Sequence, residues 1–181
     1  MANRTIVIKW AWSVVIIALV GFGSGCIPMP AATPKTASLA WEKIVDDWGP
    51  DPNYMYQGTN PRMIVVADKP DIVAIENNLI PSHLRLVTDT DLTTFLVVVI
   101  YQGRKGSVRY SVEVTGIQQE GKAIRLYALF HEPKPGTPVG MVVTSPYYIL
   151  KVKKNETMKG DMEFILIANG KEEDRQTHKI P

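Results

Sequence analysis

FLVVVIYQGRKGSVRYSVEV, residues 95–114, decides the fold. Its first seven residues are apolar without a break and rich in β-branched side chains, the composition of a strand covered on both faces. QGRKG, 102–106, places two glycines in a turn. SVRYSVEV, 107–114, then alternates. Val108, Tyr110, Val112 and Val114 fall on one side, and Arg109, Ser111 and Glu113 on the other, the period of a half-buried strand. Two strands joined by a short turn pair antiparallel.

The pattern continues downstream. Gln119-Glu120-Gly121-Lys122 reads as a hairpin turn. AIRLYALFH, 123–131, alternates again, with Ile124, Leu126, Ala128 and Phe130 on one side. EPKPGTPVG, 132–140, carries three prolines and two glycines and reads as a loop. Residues 141–144 read as a short strand, Ser145-Pro146 as a turn, and YYILKVK, 147–153, and MEFILIA, 162–168, as strands. Asn169-Gly170 is a hairpin signal, and the polar KEEDRQTHK after it reads as an edge strand or tail.

Upstream, MIVVA, 63–67, reads as a buried strand. Residues 70–79 read as a helix, with Pro70 in its first turn, Ile72, Ile75 and Leu79 on one face, and Pro81 ending it. Trp41, Ile44, Val45 and Trp48 have helical spacing behind a capping Ser38, although a short strand over 41–45 competes and the window does not choose between them. The expected fold is mainly β (α+β): an antiparallel sheet of five to seven strands, curled or packed with one or two short helices. A chain of 181 residues is long enough for one such domain with a real core.

The N-terminus reads differently. Residues 1–9 hold Arg4 and Lys9 and no acid, residues 10–22 are apolar apart from Ser13, and Gly23, Ser24 and Gly25 precede Cys26, the only cysteine. That order of cationic, apolar and small residues is a secretion signal over 1–25. The apolar run is shorter than the ~20 residues of a membrane span. A thiol directly after Ser24-Gly25 suits lipid attachment at Cys26. Two or three acyl chains, palmitate among them, would make a stable anchor. Gly23 departs from the aliphatic residue usual at that position, and Ile27 is not the Asp of inner-membrane retention. Residues 26–38 then read as anchor and Pro-rich tether, and 39–181 as a single β-rich domain.

Charge agrees with this division. Arg4 and Lys9 account for the whole formal excess of +2, so the body from Cys26 onward balances 18 basic against 18 acidic residues. Such a body has no electrostatic reason to bind nucleic acid.

The order of features from Asp91 to Lys153 resembles the C-terminal domain of the PrcB family, lipoproteins described as protease complex subunits. DLTTFLVVVIYQG, 91–103, is similar to the family's aspartate, apolar strand and glycine, and SVRYSVEVTGI, 107–117, to the alternating strand that follows. FHEPKPGTPVG, 130–140, resembles its proline-bearing loop, and TSPYYILKVKK, 144–154, the approach to its final strand. Trp41 is similar to an aromatic near the domain start. The chain departs from the family at Gly106–Tyr110, where a tighter glycine turn is usual, and in the tail 159–181. The resemblance implies a non-catalytic partner that binds or stabilises another exported protein.

No catalytic, cofactor or metal constellation stands out among the residue patterns. His83, His131 and His178 lack metal spacing. His83 with Ser82 and Asp89 makes a conceivable triad without a nucleophile elbow. Asp89-Thr90-Asp91 lacks the glycine and distal Glu of a calcium loop. Asp46, Asp47 and Asp51 read as a solvated turn. Arg104, Lys105 and Arg109 surround one turn as a candidate partner surface. Tyr147 and Tyr148 join them, since alternation sends neighbours to opposite faces and leaves one tyrosine exposed.

The expected function is that of a membrane-anchored, extracytoplasmic lipoprotein, not an enzyme. It acts as a binding or assembly module for an exported protease or other secreted protein, on the cell or outer membrane, facing the periplasm or the exterior. The alternatives are a small-ligand carrier with a cavity between sheet and helix, and a hydrolase using His83 or His131.

Overall fold

The computed structural model describes residues 36–181. Cys26 and the residues read as leader and, as far as residue 35, as tether lie outside them. The described residues form nine strands in two sheets, more than the five to seven expected in one. They are β1 (Thr36–Ser38), β2 (Trp41–Asp47), β3 (Arg62–Val66), β4 (Phe95–Tyr101), β5 (Ser111–Glu120), β6 (Ala123–His131), β7 (Tyr147–Lys153), β8 (Gly160–Ala168) and β9 (Lys171–Ile180). The first sheet runs β1-β5-β6-β8-β9 and the second β2-β7-β4-β3.

β4 explains the layering. Its Leu96, Val98 and Ile100 meet Leu126, Phe164 and Leu166 of the first sheet in the inter-sheet core. Its Val97, Val99 and Tyr101 face the other way, onto Ile75, Leu79 and Val87. Those three belong to a helical layer made of a 3-10 helix at Lys69–Ala74, the turns after it, and α1 (Pro81–Thr88). A strand between two apolar layers requires an unbroken apolar run, which β4 has.

Several expectations are corrected. The helix over 70–79 is a 3-10 helix that stops at Ala74, and Pro81 starts α1 instead of ending its predecessor. Proline fits there because the first helical N–H needs no partner. Residues 41–47 are strand, the second of the two readings left open, and not helix. Ile44 bulges opposite β7 between Lys43 and Val45, so both Ile44 and Val45 pack against the helical-side core. That change of phase imitates helical spacing. Thr36–Ser38, read from the sequence as tether, is strand β1 and pairs with Gln118–Glu120 of β5. β5 itself starts at Ser111 rather than 107. Residues 141–144 contribute only an isolated bridge, Lys105 to Thr144. Finally, β6 and β8 are parallel, because β7 between them in sequence crosses to the other sheet.

Side chains close one side of the sandwich where β3 and β9 meet as edges. The Met63 N–H donates to Asp174 Oδ2 at 2.7 Å, and Gln176 Nε2 donates to the Met63 carbonyl at 3.0 Å. Met63 is buried, so Asp174→Ala strands its amide. The expected loss is about 1–3 kcal/mol in urea unfolding, and an unchanged midpoint would contradict this role for Asp174.

The same side carries a pH-sensitive tie. Asp71 Oδ2 accepts the Ala67 and Asp68 N–H groups at 2.8 and 3.1 Å and lies 2.9 Å from His178 Nε2. Burial pushes the Asp71 carboxyl up, but the two amides and His178 together outweigh it and hold it below its ordinary value. A depressed carboxyl stabilises the fold above its unfolded pKa, and that contribution is lost as pH falls through the folded value. The stability gap between wild type and Asp71→Asn should therefore be largest near neutrality and shrink below about pH 4. A gap that stays constant down to pH 2 would refute the tie.

Candidate interaction surface at the loop end of the sandwich

Three irregular segments converge where β4 ends and β7 begins: residues 48–60, 102–110 and 132–146. Backbone hydrogen bonds knit them together. The Arg104 N–H donates to the Gly58 carbonyl at 2.8 Å, Lys105 and Thr144 exchange bonds at 2.8 and 2.9 Å, and the Ser145 N–H donates to the Gly49 carbonyl at 3.2 Å. Two glycines permit the close approach. Gly49 has φ +59° and Gly103 φ +85°, and a Cβ on either would lie 2.3 Å from a backbone oxygen, of Ser145 and Thr59 respectively. Gln102 adds a bond from Nε2 to the His131 carbonyl at 3.3 Å. The loop end is thus held mainly by backbone contacts, joined by the Gln102 and Thr144 side chains.

On this frame sits an apolar surface. Met141 is 93% exposed, Val142 43% and Val143 49%, with Trp48 and Val108 also exposed nearby in the chain segments that meet here. An open cleft of about 430 Å³ runs between Pro50, Pro52 and Met55 on one wall and Val142 and Val143 on the other, with Arg104 lining it. A second, of about 540 Å³, lies between Val108–Ser111 and Glu132–Lys134. Among the described residues, only Gln102 Oε1 and Ser145 Oγ are buried side-chain polar atoms without a partner, and both belong to this end. Departures from full satisfaction tend to gather at functional places.

The predicted surface residues divide. Arg104 and Arg109 are exposed and Lys105 partly so, and none is ion-paired among the described residues. Lys105 Nζ lies 5.4 Å from the Tyr110 ring centroid. The tyrosines are corrected. They do take opposite faces, but both faces are covered. Tyr148, 6% exposed, enters the inter-sheet core, and Tyr147, 2% exposed, enters the core under the helices. Burial, reinforced by Asp47, pushes the Tyr147 phenol well above its ordinary pKa. Neither tyrosine belongs to a docking surface.

The histidines tie elements together. His83 Nδ1 is 2.6 Å from Tyr147 Oη and 3.7 Å from Asp47 Oδ2, which fastens α1 to the second sheet in place of the imagined pairing with Asp89. His131 Nε2 is 3.0 Å from Glu113 Oε2 across β5 and β6. Among the described residues no three of His, Cys, Asp and Glu gather at metal-binding distance. Asp91 accepts from Thr93 and Thr94 in a turn. The side-chain hydroxyls of Thr93 and Thr94, joined by the Thr93 amide, pull its carboxyl down to about 2.

The space between the second sheet and the helices, where the small-ligand alternative puts a cavity, is filled by Ile75, Leu79 and Val87. An open cleft of about 510 Å³ lies instead at the opposite end of that sheet, between Ala67–Lys69 and Thr88–Thr93. Its half-buried Lys154 already donates to the Ala67 and Leu92 carbonyls at 3.0 and 2.7 Å.

Residues 96–153 match the family model described as PrcB C-terminal. That stretch, about a third of the chain, is similar to the PrcB C-terminal domain. It runs from β4 through β7 and so contains Arg104, Lys105, Arg109, the proline loop and Met141–Val143. The PrcB-like part supplies most of the loop end, while β1 to β3, the helices, β8 and β9 come from outside it. No curated protein and no solved structure matches the chain.

Proposed function

We propose that this chain is a lipid-anchored, non-catalytic binding module outside the cytoplasmic membrane. Its loop end docks and stabilises an exported protein, a protease being the class the PrcB-like domain suggests. The observation that carries the reading is the exposed Met141-Val142-Val143 beside an apolar cleft, next to the backbone bridge of Lys105 and Thr144. Contiguous apolar side chains left in water are favourable to cover, and a preformed surface loses little entropy on docking.

Chemical cross-linking in native membranes followed by purification of the full chain tests this. A recurrent protein partner is expected, and repeated recovery of the chain alone would count against it. Intact-mass spectrometry of the membrane form tests the anchor. The expected species starts at Cys26 and carries diacylglycerol, whereas a retained leader or a free Cys26 thiol would rule the anchor out.

A further inference from the structure

We propose that the cleft between Pro50–Met55 and Val142–Val143 receives a segment of the partner in which an apolar side chain stands next to a carboxylate. This rests on the docking reading above and adds the chemistry of what docks. The walls from Pro50, Pro52, Met55, Val142 and Val143 suit an apolar side chain, and Arg104 is the one charged residue lining the cleft. Its guanidinium makes no hydrogen bond or ion pair among the described residues. The nearest acid in sequence to that wall, Asp51, already accepts from the Asn53 amide and side chain at 2.9 and 3.1 Å.

The three classes of occupant differ in energy for a simple reason. A wholly apolar segment would cover Arg104 without giving it a partner, which is costly. A basic segment would place like charges together beside Arg104 and Lys105. An acidic side chain flanking the apolar one gives Arg104 a charge-assisted hydrogen bond at the rim of the contact. Lys105 and Arg109, on the same turn and also without ion pairs, extend the positive field that steers such a segment in.

The test places a photoreactive amino acid at the highly exposed Met141 of the full chain in native membranes and identifies the cross-linked peptide by mass spectrometry. The expected peptide carries Asp or Glu within two residues of a large apolar side chain. Adduct yield should fall about tenfold in Arg104→Glu and stay within about threefold of wild type in Arg104→Lys. A basic or uncharged peptide overturns the inference. So does a yield that ignores Arg104→Glu but is lost in Val142→Asp, and that result leaves docking itself standing. No adduct from Met141 at all overturns both readings. Thermal unfolding of each variant separates lost docking from lost folding.

Discussion

Phe164→Ala is expected to destabilise the domain by about 3–5 kcal/mol. The ring is fully buried in the inter-sheet core, on β8 opposite Ile124 of β6. It meets the inward residues of β4 and β7 across the sandwich. β8 sits between a parallel neighbour and an antiparallel one, so its backbone is fixed on both sides and has little freedom to collapse into the space the ring vacates. Both the lost transfer energy and the residual cavity then count. Val73→Ala, on the exposed face of the 3-10 helix, should change stability by less than about 0.5 kcal/mol. Urea unfolding of the two variants gives the comparison, and a Phe164→Ala loss under about 1 kcal/mol would mean that the sandwich core is not where the structure puts it.

Gly103→Ala is expected to lose about 3 kcal/mol and to disturb the loop end. Two effects add. A φ of +85° strains any residue with a Cβ, and the new methyl would lie 2.3 Å from the Thr59 carbonyl oxygen and 2.7 Å from its carbon. These are backbone atoms, and the same segment holds the hydrogen bond from Arg104 to Gly58, so relief requires moving residues 58–60. Gly121→Ala separates the effects. That glycine also has positive φ, +60°, but nothing lies within 4 Å of its added Cβ, so about 1 kcal/mol of conformational cost alone is expected. Equal losses in the two variants would mean that residues 58–60 yield easily and that the loop end is less rigid than described.

The sequence was legible where one physical constraint acted at a time. β6 and β7 have the bounds their alternation and apolar runs predict, because turns on either side end them. It misled where two constraints overlapped. A bulge at Ile44 produced helical spacing inside a strand. The tyrosine pair obeyed alternation, but alternation tells which face a residue takes and not whether a second layer covers that face. The parallel pairing of β6 and β8 depends on β7 leaving the sheet, which no local pattern encodes. The cationic turn was visible from composition. Met141–Val143 was not, because its valines suggest a strand. The flanking Gly140 and Pro146, and pairing limited to Thr144, leave it without a sheet partner and therefore exposed.

The apolar loop end is the proposed working surface. The direct measurement compares full-length wild type, the double variant Met141→Asp/Val143→Asp and the control Val73→Asp, each captured from native membranes after cross-linking and quantified by mass spectrometry. All three should unfold at similar temperatures, since each change is at an exposed position. The account predicts one protein recovered in near-stoichiometric amount with wild type and Val73→Asp and reduced about tenfold or more with the double variant. The same recovery in all three, or an equal loss in Val73→Asp, would contradict it.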